Sequence, residues 1–370
     1  MRQDPAFKPE LTGSVWAITQ SSDGQILVGG SALTGSDRSV SLLRLHHDGS
    51  QDSSFNALTG GHVGAIAIGA DGNIFAGGRF RPYFDDESFL LRMNPTGGID
   101  VTFSPQADGA VTQVAPLAGG QALIAGDFES FAGGTVHQPI LARLNEDGSI
   151  DKTFRPRIEA LDLDDWPRPQ VKALAVDRDG AYIIGGAFTS VNGVARTNLA
   201  RIFPDGTVDL NFRPNPDSAH PEDWPDTEVN ALALEDDGSI VLVGEFSSIE
   251  GVPLSNFARI LPSGKLDRDF KASMNGMPLV VKVIGDSLYF VGGIFNEVGN
   301  LDWYMYRQVE NATLIQRSGS HFSYPPIGKV DGYVTAVAAF DDASVVFGGG
   351  LPKDSGGLIR LVGDSEKSAG

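Results

Sequence analysis

Residues 171–212 open with Val171-Lys172-Ala173-Leu174-Ala175-Val176, then Asp179-Gly180 and Ala181-Tyr182-Ile183-Ile184-Gly185-Gly186. They continue through Asn192-Gly193, Leu199-Ala200-Arg201-Ile202 and Pro204-Asp205-Gly206 to the run Val208 to Phe212. The first run carries small and branched residues on both faces, as a strand packed between two layers does. Asp179-Gly180 supplies a tight hairpin, because both residues tolerate positive φ. The second run ends in two glycines, which let another backbone approach closely. A polar loop, a third strand, a second turn and a fourth strand complete an antiparallel unit.

The unit recurs. Its second glycine appears as Gly30, Gly78, Gly126, Gly186, Gly244, Gly293 and Gly349, about 50 residues apart, a period that marks a repeat array. First-turn pairs recur at Asp23-Gly24, Asp71-Gly72 and Asp237-Gly238, and second-turn pairs at Asp48-Gly49 and Asp147-Gly148. A third-strand arginine is read at Arg44, Arg92, Arg143, Arg201, Arg259, Arg307 and Arg360. A fourth-strand Asp-x-x-Phe follows as Asp52/Phe55, Asp100/Phe103, Asp151/Phe154, Asp209/Phe212 and Asp267/Phe270. Repetition favours structural roles for both: the arginine pairs with a carboxylate between strands, and the phenylalanine fills the outer core. The pattern predicts an all-β chain, a seven-bladed β-propeller of four-stranded antiparallel blades.

The last copy reaches Leu358-Ile359-Arg360-Leu361 and lacks an Asp-x-x-Phe, whereas the chain begins Asp4-Pro5-Ala6-Phe7-Lys8-Pro9. The N-terminal strand, within residues 1–10, is therefore expected to complete the last blade and close the ring. This makes residues 1–362 one domain, followed by a polar tail, 363–370. The repeat resembles the delta-60 repeat family over residues 4–362. Gly185-Gly186-Ala187-Phe188, Asn192-Gly193, Ala200-Arg201-Ile202, Asp205-Gly206 and Asp209/Phe212 carry the likeness. The sixth copy departs from it: Tyr306-Arg307-Gln308-Val309 has no following Asp-Gly. The resemblance implies a β-propeller and transfers no activity.

The formal charge is −19, which repels nucleic acid and anionic membranes and excludes both as expected partners. There is no cysteine, so disulfide and thiol chemistry are absent. No apolar run reaches membrane-spanning length and the first residues do not read as a signal peptide. A soluble chain is expected, secreted or cell-surface if a leader has been trimmed. No cofactor is expected: phosphate-cradling and dinucleotide glycine motifs are missing. The six histidines form no metal-binding pair and no metal site is expected. Asp177-Arg178-Asp179 and Glu235-Asp236-Asp237 have carboxylates for calcium, which turn geometry also explains. Asn311-Ala312-Thr313 fits a glycosylation sequon.

Irregularity gathers on the face opposite the Asp-Gly hairpins, where function is sought. Two long connections carry Asp164-Asp165-Trp166-Pro167 and Glu222-Asp223-Trp224-Pro225. Their indoles are either lids on the core or platforms for a ligand. The residue after each Gly-Gly and the second residue of each first strand should surround the central mouth. Asp127, Lys172, Asn230 and Glu245 fall on one side of it, with Arg79 and Trp16 from earlier copies. Tyr83 and Trp303 add aromatic faces beside carboxylates, a combination that binds sugar rings.

Three functions follow. The first is a binding module for a carbohydrate or other small polar ligand, using Trp166, Trp224, Asn230, Trp16, Trp303, Tyr83, Asp165 and Asp223. The second is a carbohydrate-active enzyme, a glycoside hydrolase or polysaccharide lyase, with Asp127 and Glu245 as acid and base and Lys172 or Arg79 stabilising charge. The third is a protein interaction scaffold.

Overall fold

A computed structural model describes residues 1–33, 40–56, 58–83, 86–160, 168–217, 227–286, 288–300, 305–318, 327, 330–352 and 357–363. Among them, seven core sheets follow in chain order, sharing three antiparallel strands with the first at one edge, and the first and last sheets add a short fourth strand, Leu58–Thr59 and Arg2–Gln3 respectively. Sheet four is typical: Gln170–Val176 pairs with Tyr182–Ala187, which pairs with Leu199–Ile202. The first strand of each sheet packs against the first strand of the next, and Ser14–Gln20 of sheet one also packs against Val334–Ala339 of sheet seven. Those first strands therefore face a common axis. The core is divided into apolar clusters lying between neighbouring sheets, such as the one joining Leu123 and Ile158 to Tyr182 and Ile202.

Every inner strand skips one residue in its pairing. In sheet four, Val171 faces Gly186 and Ala173 faces Gly185, so Lys172 is left out. This bulge accounts for the second glycine of each pair. A Cβ there would lie 2.0 to 2.4 Å from the carbonyl oxygen of Ser14, Gln170, Met277 and their counterparts, the nearest atom and a clash in every sheet. The first glycine has a different neighbour. A Cβ on Gly185 would meet Val229 Cγ1 of the next sheet at 2.7 Å, and Gly29 stands likewise against Val63 at 2.8 Å. One glycine admits the bulge and the other admits the next sheet.

The repeated arginines form a second device. Arg44, Arg92, Arg143 and Arg201 donate through Nε to Asp52, Asp100, Asp151 and Asp209 at 2.8, 2.8, 2.9 and 2.7 Å. Each guanidinium also stacks over the phenylalanine of its Asp-x-x-Phe, 4.7 to 5.0 Å from the ring centre. Three of them also cross to the next sheet: Arg44 to Pro95 O at 2.7 Å, Arg92 to Glu146 O at 2.6 Å and Arg143 to Pro204 O at 2.6 Å.

Three expectations are corrected. The fourth strand shrinks to one bridge in five sheets, for example Ile202 with Val208. The reason is the aspartate itself: Asp52 Oδ1 accepts the Ser54 N–H at 2.8 Å, and Asp209 Oδ1 the Asn211 N–H at 2.9 Å, which curls the chain away from the strand. At the chain start, the paired residues are Arg2 and Gln3, opposite Val362 and Leu361, rather than Asp4 to Pro9. Asp4 follows with one bond to Arg360 O, and Phe7 turns into the core beside Leu11 and Phe340. In the sixth copy, Arg307 is not on the core sheet. It lies on Met305–Gln308 of a small accessory sheet, while Ala312–Gln316 is the third core strand. Leu314, opposite Phe290, occupies the arginine position.

In sheets four to six the loops between second and third strands carry strands of their own. In sheet four they form a hairpin, Ser190–Val191 with Val194–Ala195, that pairs with Ile158–Glu159 of the incoming connection. Sheets five and six repeat this arrangement. Among the described residues, sheets four to six thus carry short accessory sheets on the loop face.

Two outcomes are expected. Gly186→Ala should cost about 3 kcal/mol or more, since the Cβ collides with backbone; Gly180→Ala, at φ +81° with nothing within 4 Å, should cost about 1–2 kcal/mol. Urea denaturation of both variants checks the contrast. Asp52 is held at about 2, against an ordinary 3.8, by the Ser54 hydroxyl foremost, with the Ser54 N–H and Arg44 adding to it against burial. Its bonds therefore stabilise the fold fully above the unfolded value and are lost as pH falls through about 2. Thermal melts of the wild type should drop across that window, and those of Asp52→Asn should start lower and drop less.

Candidate functional site

Because the bulge sits at the second or third position of each inner strand, the skipped residues line one end of the axis. They are Trp16, Gly64, Thr112, Lys172, Asn230, Leu279 and Thr335. Several reach sideways to the next sheet. The Trp16 ring meets His62 edge-on, 5.1 Å between centroids. Lys172 donates to Glu228, Asn230 Nδ2 donates to Pro278 O at 3.1 Å, and Thr335 Oγ1 donates to Val15 O at 2.7 Å. Asn230 is buried by this contact.

Just outside this ring stand the residues that follow Gly-Gly. Arg79 lies opposite His62 and makes a 2.7 Å ion pair with Glu87. Asp127 is anchored by its N–H to Ala110 O at 2.8 Å. Glu245 lies opposite Glu228, the acceptor of the Lys172 ammonium.

Between sheets three and four the mouth opens into a cavity of about 260 Å³, lined by Thr112, Gln113, Asp127, Gln170, Val171 and Lys172. An adjoining cavity of about 370 Å³ shares Asp127 and Gln170 and runs outward past Glu129, His137 and Arg168. Glu129 and Arg168 are ion-paired to each other. The structure thus brings Asp127 and Lys172 to one cavity. Glu245 stands in sheet five, with sheet four between it and Asp127. A separate groove of about 620 Å³ follows the outer edge between sheets two and three, where Val101 is 78% exposed.

Of the expected aromatic and acidic ligand contacts, Asp165, Trp166, Asp223, Trp224 and Trp303 lie outside the described residues. Tyr83 ends the strand Ile74–Tyr83, its backbone opposite Asp86. Gln113, Gln170, His137, Arg168 and Glu228 were not singled out from sequence. Gln170 and Glu228 had a usable signal: each is the first residue of its inner strand, paired with the residue after Gly-Gly.

On the hairpin face, Glu235 is no calcium ligand. Its buried carboxylate takes Arg259 at 2.9 and 3.0 Å, together with Tyr289 and Arg317. Burial alone raises its pKa, but these bonds outweigh it and hold the carboxyl below the usual range. Among the described residues no group of three His, Asp or Glu side chains is arranged for a metal. The sequon asparagine, Asn311, spends its amide on Val330 O at 3.1 Å and on Gly332 O at 2.5 Å. None of the described helices is long and apolar enough to cross a membrane.

Comparison with known proteins agrees with this geometry. The family described as domain of unknown function (DUF5122) beta-propeller matches residues 21–55, 120–154, 178–212 and 235–270. No curated protein matches the chain in sequence. Among solved structures, selenomethionine-substituted virginiamycin B lyase from Staphylococcus aureus is similar with TM-score 0.55 at 14% identity, covering 95% of this chain and 96% of that one. The extracellular domain of BT3049 from B. thetaiotaomicron, assigned to hybrid two component systems, has TM-score 0.54 at 10% identity. That match covers 95% of this chain, which spans only 39% of the other's length. The WD40 beta propeller domain of Doa1 has TM-score 0.50 at 12% identity, covering 99% and 97%. At such identities the likeness concerns fold alone. The chain is an all-β protein of β-propeller repeats.

Proposed function

We propose that the chain is a binding module that captures a carbohydrate or similar polar ligand on its loop face, between sheets three and four. The supporting observation is the pair of joined cavities and the chemistry that lines them. Asp127 accepts hydroxyl hydrogens, Lys172 donates, and Thr112, Gln113 and Gln170 do both. His137 and the Glu129–Arg168 pair continue the polar lining outward. Such alternating donors and acceptors suit a ligand rich in hydroxyls.

The enzymatic reading has less support. Asp127 and Glu245 belong to sheets three and five, and Lys172 is engaged by Glu228, so the acid, base and cation do not share one cavity. We also read the architecture as a seven-bladed propeller of the delta-60 type, with four-stranded blades whose last strand is vestigial and a ring closed by the N-terminal strand. Support comes from the seven core sheets, from Arg360 reaching His47 O at 2.9 Å, and from Arg2 pairing with Val362.

Two experiments test these readings. A glycan array followed by calorimetry and product analysis should find a bound glycan that is not cleaved. Asp127→Ala or Gln170→Ala should weaken it by about tenfold or more, the loss of a hydrogen bond to a charged or desolvated group. A wild type that binds no glycan would sink the ligand class, and cleavage products would move the reading to the enzyme. For closure, removing residues 1–10 strips Phe7 from its core and should lower stability by about 3–5 kcal/mol; an unchanged melting temperature would refute it.

A further inference from the structure

The outer groove between sheets two and three has counterparts further along the chain, and there the protein fills the space itself. In sheets three, four and five a buried residue follows the second accessory strand: Gln138 after Val136–His137, Arg196 after Val194–Ala195 and Leu254 after Val252–Pro253. Each stands three residues before the third-strand residue that faces Ala125, Gly185 or Val243. Each also joins its own third strand to the chain leaving that sheet. Gln138 Nε2 donates to Leu141 O at 2.9 Å and to Pro156 O at 3.0 Å. Arg196 Nη2 donates to Asp209 O at 2.8 Å, and Leu254 lies in the apolar cluster of Ala258 and Leu266.

In sheet two the same register puts Glu87 at this position, three residues before Leu90, which faces Gly77. Glu87 is not buried: it is exposed and accepts from Arg79 at 2.7 Å. The space that its counterparts fill is left as the groove of about 620 Å³. The acceptors remain. Pro105 and Asp100, which stand where Pro156 and Asp209 stand in their own copies, both line the groove. Pro105 O receives no hydrogen bond among the described residues. Ile99, Val101 and Phe103 supply an apolar wall, with Val101 largely exposed. The lining holds three carboxylates, Glu87, Asp100 and Asp108, and no lysine, arginine or histidine.

We propose that this groove docks an arginine side chain carried on an extended segment of another protein, supplying from outside what Arg196 supplies from within. The guanidinium donates to Pro105 O and Asp100 O, the counterparts of the carbonyls that Gln138 and Arg196 take. Its methylenes lie along Val101 and Ile99. The three carboxylates and the net charge of −19 favour a basic partner. Arginine is preferred to lysine because its planar fork serves two acceptors at once, whereas an ammonium is a point charge.

The test is selection from a random nonapeptide display library on the intact protein, followed by calorimetry with the selected peptides. Arginine should be enriched at one position, and replacing it by lysine should weaken binding about tenfold, the loss of a hydrogen bond from a charged group. Val101→Arg, which sets a like charge in the groove at an exposed residue, should weaken it by about tenfold or more. Leu210→Arg makes the same change of charge at the counterpart in sheet four, also exposed, where Arg196 already occupies the gap. It should leave binding unchanged. No selected peptide, selected peptides without the arginine, lysine binding as well as arginine, or an equal loss in both variants overturns the inference. Self-association of the chain that Val101→Arg abolishes would assign the groove to a second copy and overturn it as well. The arginine-to-lysine comparison uses the wild type, so it holds even if a variant fails to fold.

Discussion

The second glycine of each pair is where the fold is decided. In every core sheet, the carbonyl oxygen of an inner-strand residue lies within about 2.4 Å of the point a Cβ would occupy, so any side chain would expel it. That carbonyl is there because the strand skips one residue, and the skipped residue turns toward the neighbouring sheet. Trp16, Lys172, Asn230 and Thr335 make their inter-sheet contacts from this position. A local steric permission thus governs three levels at once: register within a sheet, contact between sheets, and the side chains that ring the mouth.

At the outer radius, arginine supplies the second tie. One guanidinium pairs with its aspartate, stacks on its phenylalanine and reaches a backbone carbonyl of the next sheet, so a single side chain spends its donors both within and across sheets. Planarity and fixed donor geometry suit arginine to this, whereas lysine offers a point charge. Sheet six lacks the device, with Leu314 in its place. At the preceding boundary, between sheets five and six, Glu235 gathers Arg259, Tyr289 and Arg317 into one buried network.

Much of this was legible because it is local chemistry. Asp-Gly turns, paired glycines and the Arg/Asp spacing identify strands without any knowledge of neighbours. What sequence concealed depended on competition or on partners distant in the chain. Tyr306-Arg307 imitates a third strand because the accessory hairpin is itself a strand; the better marker was Asn311, whose φ of +61° matches Asn198 and Asn256 at the same turn. Asp-x-x-Phe looked like a strand, but its aspartate prefers to accept the N–H two residues on. Asp127 and Lys172 could be put at the mouth, yet their separate engagements, and the part of Gln170 in the cavity, follow from inter-sheet register.

The mouth residues therefore have two tasks that compete for the same atoms. An amide spent on Pro278 O, as in Asn230, holds the ring and has less to give a ligand. Between sheets three and four that competition is relaxed: Thr112 makes only a long 3.4 Å bond within its own sheet, and the space beside it is a cavity. A propeller cannot loosen every boundary and stay closed. It can loosen one if arginine bridges the outer radius there, and at this boundary Arg143 does so through Pro204 O at 2.6 Å. The candidate site thus lies where an outer tie lets the inner one go.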